Sequence, residues 1–382
     1  MPTHRPFSDQ LRAEGIDVVL GRARFTASTR IEIDGQNITG RRFVIATGAA
    51  PLIPPIPGLT QVPYLTNETV FDLSEPPDSL AVLGGGAIGC ELAQAFARFG
   101  TRVTVVEALD RLLAKEEPEA SAVITDVFGR DGIDVRVGCR VDEIATDPGG
   151  GVRLALGDGA TVAVQRLLVA VGRTPVTDGL DLPAAGVAVD ERGYIATDDH
   201  LATTAQGVYA AGDVTGRMPF THAAFAMGRL AAGNALTRRG RRRRYDPAAT
   251  PWVTFTDPEV ARVGLTEARA AAHRGRVASL PIADMDRAIA ADRTDGFVKL
   301  LAGPRPLLRN LGGGRILGAT IVAARAGEMI HEPALAMATR MFTGRLAATT
   351  HAYPTWSYAV QLAAAQFFMP VNGRQARPAR QQ

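Results

Sequence analysis

The chain has 382 residues, 46% of them hydrophobic, with 42 Lys and Arg against 39 Asp and Glu for a formal net charge of +3. That is length for two or three domains with apolar cores, and no charge excess that demands a polyanionic partner. Residues 4–15 are polar where a secretory signal needs an apolar core, and no apolar run reaches membrane-spanning length, so a cytoplasmic protein with no membrane partner is expected.

In chain order, residues 16–25 and 30–33 read as short strands, the second turning at Asp34 and Gly35. Residues 43–46 read as a buried strand running into Thr47 and Gly48, where a ligand could lie. Pro51, Pro54, Pro55 and Pro57 then stiffen a connector that can be neither helix nor central strand, and so mark a domain crossing. The most informative stretch follows. Residues 80–83 form a short apolar strand, Gly84, Gly86 and Gly89 fill a G-x-G-x-x-G pattern, and residues 90–99 carry apolar side chains at helical spacing.

Each glycine has a physical task in such a loop. The first turns the chain tightly out of the strand, the second lets backbone approach a pyrophosphate, and the third lets helix and strand pack closely. The helix N-terminus then faces the anion. Residues 102–106 form the next strand, and Glu107 ends it at about the twenty-residue offset where a carboxylate accepts ribose hydroxyls. That acid repels a 2′-phosphate, so NADH is expected over NADPH.

Cys90 and Cys139 are the only cysteines, too few and too far apart in sequence for a metal cluster, a disulfide framework or a C-x-x-C pair. Buried, inert thiols are the expectation for both, and no metal site is expected. Residues 167–171 form another apolar strand ending at Gly172, and residues 207–211 a further one ending at Gly212 and Asp213. An acid so placed either binds a sugar or ribityl hydroxyl or simply belongs to a turn. Arg238, Arg239, Arg241, Arg242, Arg243 and Arg244 form a basic run with no interleaved aromatic platform, so a solvated linker is expected and nucleic-acid binding is not. Residues 304–314 read as a loop between strands 297–301 and 317–322, and residues 359–368 as an apolar, helix-like run.

As a set, these motifs resemble the FAD- and NAD(P)-dependent pyridine nucleotide-disulfide oxidoreductases, the family of lipoamide dehydrogenase, glutathione reductase and mercuric reductase. Residues 44–48 resemble the Ala-Thr-Gly segment of the flavin domain, and residues 84–91 the G-x-G-x-x-G-x-E of the nicotinamide domain. Residues 169–175 resemble the segment closing that domain, where Gly172 would lie near NAD. Residues 203–213 resemble the second flavin fingerprint, in which Asp213 would hold the ribityl chain. Residues 251–266, PWVTFTDPEVARVGLT, resemble the opening of the interface domain.

The resemblance implies an α/β fold: two interleaved Rossmann-like dinucleotide-binding domains, the FAD domain truncated at its N-terminus, and a C-terminal α+β dimer-interface domain. The implied divisions are 1–75 and 176–237 for the flavin domain, 76–175 for the NAD domain, 238–246 for the arginine-rich linker and 247–370 for dimerisation. Residues 371–382 are expected to be a disordered tail, by composition. The implied activity is hydride transfer from NADH to FAD and on to a small acceptor such as a quinone or metal ion, in a homodimer.

Departures from the family pattern shape the rest of the expectation. The family's first flavin βαβ and its redox C-x4-C pair precede any segment matched here, so this chain has no dithiol step and FAD lacks its pyrophosphate loop; an NAD-binding dimer without flavin is the alternative. Glu91, which in the family pairs with a lysine beside the flavin, is then either that residue or a solvated helix-start carboxylate. Residues 351–358 align with His-x-His-Pro-Thr-x-x-Glu, and Tyr353 and Tyr358 occupy the places of the acid–base dyad. A phenol with a pKa of about 10 is a poor proton shuttle near neutrality, and aromatic packing is the plainer reading. Mercuric reductase's vicinal cysteines near the C-terminus have no counterpart in residues 369–382.

Overall fold

The computed structural model describes residues 7–381, which form a mixed α/β fold dividing into two units: Met1–Ala50 with Thr174–Pro247, and Pro51–Arg173 with Ala248–Gln382.

In the first unit, strands Phe43–Ile45 and Val208–Ala210 pair in parallel, Phe43 opposite Val208 and Ile45 opposite Ala210. Both are short and apolar; Val208–Ala210 is buried throughout, whereas Val44 of the neighbouring strand is exposed. One face packs on Phe25, Leu182, Val187 and Ile195. Helix Thr221–Leu236 contributes Ala223, Met227 and Ala231 to a second cluster around Tyr209. Strands Ala23–Ala27, Arg30–Ile33 and Gln36–Thr39 make an antiparallel meander, with Asp34 and Gly35 at positive φ in the second turn. The strand expected over 16–25 begins only at Ala23. Ile16, Val19 and Leu20 are exposed, and without a partner to bury them the apolar run does not hold a strand.

In the second unit a four-stranded parallel sheet has the order Arg166–Val169, Ser79–Leu83, Arg102–Val106, Asp134–Arg136. Helices Ala87–Arg98 and Pro118–Arg130 cover it with Cys90, Ala93, Phe96, Ile124 and Phe128. A six-stranded antiparallel sheet built on Phe297–Gly303 and Arg315–Ala323 forms the C-terminal part. Helices His331–Ala338, Thr343–Ala348 and Tyr358–Ala365 pack against it through Ala334, Leu346, Val360 and Ala363. Val260, Phe297 and Val322 from this sheet join the apolar cluster of the parallel sheet, so the two layers share a core.

Two further expectations are corrected. The tail at 371–382 is not disordered over its described residues: Arg377–Pro378 adds an edge strand to Arg276–Pro281. The Ala379 amide donates to Gly275 O at 2.9 Å, and the Arg377 guanidinium reaches Glu267 at 2.5 Å. Composition hid this because an edge strand needs only backbone pairing and one buried counter-charge. The arginine run is likewise not a free linker. Asn234 accepts from the Arg243 amide and donates to its carbonyl, Arg242 lies over the Tyr209 ring, and Arg244 pairs with Asp199.

Candidate dinucleotide and interface sites

The glycine loop of the second unit is explained by sterics, position by position. Gly84 sits at φ +109°, and a Cβ there would lie 2.6 Å from the Ala170 carbonyl oxygen. A Cβ on Gly89 would lie 1.9 Å from the Gly84 carbonyl, so the helix approaches the strand as only glycine permits. Gly86, the N-cap of the helix, meets nothing within 4 Å on its Cβ side. An open flank beside a helix N-terminus is an arrangement that attracts an anion.

Glu107 closes that arrangement. One carboxylate oxygen accepts from the Gly85 amide at 2.6 Å and the other from the Leu109 amide at 2.7 Å. Each oxygen keeps a further lone pair, so the acid that pins the loop can still accept from ribose hydroxyls. The Ala170 amide donates to Leu83 O at 2.8 Å, which brings the end of strand Arg166–Val169 beside the loop. Gly172, at φ +150°, follows there and accepts from the Leu52 amide at 2.9 Å.

Glu91 lies in the second turn of the same helix, half-buried, and accepts from the Phe255 amide at 2.7 Å. Burial raises its carboxyl above the usual range, partly offset by that amide. The solvated helix-start reading is therefore corrected: Glu91 ties the phosphate-loop helix to the interface segment.

Both cysteines are shielded. Cys90 is buried with its Sγ directed at Gly85 O, 3.3 Å away, and burial followed by Glu107 and Glu91 pushes its thiol up. Cys139 is also raised, by burial and then Asp158. They belong to separate apolar clusters, so neither is placed to form a disulfide with the other.

In the first unit, Thr47 and Gly48 follow strand Phe43–Ile45, and Gly212 and Asp213 follow Val208–Ala210, so the carboxyl ends of two neighbouring parallel strands carry all four. The Ala211 amide donates to Ile45 O at 3.0 Å and holds the two ends together. Thr47 Oγ1 donates to Val176 O at 2.6 Å, while the Val176 amide donates to Gly48 O at 3.0 Å. Gly212 is at φ +78°, its missing Cβ 3.3 Å from Ala224 on helix Thr221–Leu236. Asp213 is half-buried at the turn that follows.

In the interface part, Tyr353 is exposed and meets Tyr358 edge to face at 5.9 Å. The Tyr353 hydroxyl donates to Asp286, whose hydrogen bond and charge raise the phenol further from neutrality. His351 lies beside them, its Nε2 2.8 Å from Glu332 and its Nδ1 2.8 Å from Thr349 O. Burial opposes its charge, but Glu332 and the Thr349 carbonyl outweigh it and raise the imidazole.

Sequence reasoning missed the polar centre that clamps the scaffold. Lys299 is buried within an otherwise apolar strand and meets Glu119 at 2.6 Å, Glu267 at 3.1 Å and Glu117 at 3.4 Å. Burial opposes the ammonium, yet the carboxylates raise its pKa on balance. The one signal was a lysine where the strand FVKLLAG leaves no solvent-facing position. Among the described residues no group of three or more His, Cys, Asp or Glu could hold a metal ion, and no helix is long and apolar enough to cross a membrane.

Comparison with known proteins adds the family context. Residues 6–228 match the family model described as pyridine nucleotide-disulphide oxidoreductase, and residues 250–364 match its dimerisation domain. A mercuric reductase of Streptomyces lividans is 40% identical over 378 residues, covering 94% of this chain and 77% of that protein. One of Bacillus cereus is 36% identical over 364 residues, again 94% of this chain but 56% of the relative's length. The solved HOCl-induced flavoprotein disulfide reductase RclA of Escherichia coli superposes with a TM-score of 0.83 at 32% identity, over 93% of this chain and 80% of that one.

Proposed function

The chain belongs to the pyridine nucleotide-disulphide oxidoreductase family, and from that premise we propose that it is an NADH-dependent flavoprotein oxidoreductase whose 382 residues contribute no dithiol step. The observation that carries this is the glycine loop, in which three glycines and Glu107 form a cradle that is sterically closed toward the protein and open toward a pyrophosphate. Gly84, Gly86 and Gly89 bind the nicotinamide dinucleotide, Glu107 orients its ribose and repels a 2′-phosphate, and Gly172 lines the same edge. Glu91 fixes the angle of the helix against Phe255.

In the first unit, Thr47, Gly48, Gly212 and Asp213 have the placement to hold a ribityl chain, with Asp213 as hydroxyl acceptor. A flavin held there would supply a two-electron acceptor for hydride from the nicotinamide and a donor to a small molecule. The names of the relatives favour a metal ion as that acceptor, with a quinone the other candidate. The buried Cys90 and Cys139 take no part. Residues 250–364 form a homodimer contact, and the protein works in the cytoplasm.

One observation favours a second reading, an NAD-binding dimer without stable flavin. The described residues contain one G-x-G-x-x-G loop, that of the nicotinamide site, so they supply the ribityl end of a flavin site and no second phosphate loop. A single experiment separates the two. The chain is incubated with FAD, desalted, and mixed anaerobically with NADH. Retained flavin that bleaches on mixing supports the oxidoreductase; a colourless protein that still quenches NADH supports the second reading.

A further inference from the structure

We propose that Arg262 and Lys299, on the antiparallel sheet, are positioning residues for the nicotinamide dinucleotide: they grip the segment 112–119 that backs Gly85, so the C-terminal part sets the shape of the phosphate loop. The proposal rests on the reading of that loop as the dinucleotide site. Gly85 stands between the first two glycines of the pattern. Its amide donates to Glu107 at 2.6 Å, and its carbonyl accepts from the Leu113 amide at 2.8 Å. The fit is close, since a Cβ on Gly85 would lie 2.6 Å from Leu112. Loop, ribose acid and residues 112–113 are therefore tied into one hydrogen-bonded body.

Leu112 and Leu113 do not hold that place by themselves. Leu113 is a buried leucine at φ +47°, a backbone region that a side chain disfavours and that persists only where the surroundings over-determine it. Those surroundings come from the residues that follow. The Glu116 amide donates to Leu113 O at 2.8 Å, and Ser121 Oγ donates to Leu112 O at 2.6 Å. Glu116 is in turn held by the sheet: Arg262 Nε donates to it at 2.6 Å, Trp252 Nε1 at 2.9 Å, and Arg262 Nη2 reaches Lys115 O at 3.0 Å. One residue on, Glu117 accepts from the Glu267 amide at 2.7 Å and faces Lys299, which also holds Glu119. Arg262, Lys299, Glu116 and Glu117 are all buried.

Buried ion pairs often add no net stability over apolar packing of the same volume. What these two add is a fixed place for residues 115–119 against strands Glu259–Gly264 and Phe297–Gly303. Through Glu116 and Leu113 that place is passed to Gly85, and so to the angle at which Glu107 meets a ribose.

The test uses the full chain and two double variants, R262M/E116Q and K299M/E117Q, each of which removes a cation together with a buried carboxylate. In the second, Glu267 keeps Arg377 and Glu119 is half exposed, so no buried charge is left alone. NADH dissociation constants are read by fluorescence at a temperature where circular dichroism shows every chain folded. Val360→Ala is the control for lost stability, because Val360 belongs to a different apolar cluster from Leu112 and Leu113. Both double variants are expected to bind NADH about threefold or more weaker than the parent, while Val360→Ala binds as the parent does however far its melting temperature falls. Coupling is reciprocal, so saturating NADH should also slow hydrogen exchange at the Glu267 amide of the parent more than at the Val360 amide, a readout that needs no substitution. Unchanged affinity in the folded double variants, or an equal weakening in Val360→Ala, overturns the proposal and leaves the nicotinamide reading standing. If the double variants fail to fold, equal slowing at Glu267 and Val360 overturns it. A parent chain that binds no NADH overturns both.

Discussion

The glycine loop and the tyrosine pair both lie where the family places chemistry, yet they are constrained in opposite ways. In the loop the backbone itself forbids change: Gly84 and Gly89 each have a carbonyl oxygen where a side chain would begin. At the pair, Tyr353 is exposed, its hydroxyl bonded to Asp286 and its ring resting on Tyr358. A site whose geometry is fixed by backbone contacts is preorganised before any ligand arrives. An exposed phenol held by one carboxylate is neither preorganised nor titratable near neutrality. The glycine loop is thus fixed by its backbone, while Tyr353 and Tyr358 make an exposed aromatic contact.

Substitutions can break that contrast. The largest effect is expected from Gly89→Ala, which places a methyl 1.9 Å from a backbone oxygen. Overpacking against backbone should cost about 3 kcal/mol or more, with loss of NADH binding, as seen by thermal melts and NADH fluorescence. Gly86→Ala sharpens the same point. Its Cβ meets nothing within 4 Å, so the melting temperature should stay close to that of the parent. A methyl between backbone and pyrophosphate should nevertheless weaken NADH about tenfold or more. If Gly86→Ala binds NADH normally, the open flank is not the phosphate cradle.

Smaller effects belong to the interface end. Burial opposes the charge on His351, but Glu332 and the Thr349 carbonyl outweigh it, so its pKa is raised in the folded state above the usual 6.5. The stability this contributes is fully present below that unfolded value and is lost as pH rises through the folded one. Melting temperature should therefore fall with alkalinity from about pH 6 upward in the parent, and fall less steeply in His351→Gln. Smallest of all is Tyr353→Phe, which removes one exposed hydroxyl. Oxidoreductase turnover with NADH and a small acceptor should change by less than about twofold, within the range of ordinary surface changes. A loss of two orders of magnitude would make the phenol a participant and return chemistry to the interface end.

What was legible in the sequence follows from how local each feature is. The strand, loop, helix, strand and acid of residues 79–107 are neighbours in sequence, so periodicity and glycine spacing place every part within three residues, the helix start at Ala87 being the furthest off. The strand ends carrying Thr47 and Asp213 were visible for the same reason, although their pairing joins segments 165 residues apart. Lys299 was not. Its partners Glu117, Glu119 and Glu267 lie 182, 180 and 32 residues away, and nothing in a single sequence announces that meeting. Glu91 was ambiguous because its partner is a backbone amide, which leaves no trace in composition. The tail was misread by its composition: its arginines look solvated, but Arg377 is drawn to the buried Glu267.

The most direct test of the central claim is a paired titration of the parent chain and Glu107→Gln with NADH and NADPH, followed by nicotinamide fluorescence. The cradle closed by Glu107 predicts that the parent prefers NADH by about tenfold or more, and that the preference collapses in Glu107→Gln while the chain remains folded. Equal affinity of the parent for the two cofactors, or a preference that survives the substitution, would contradict it.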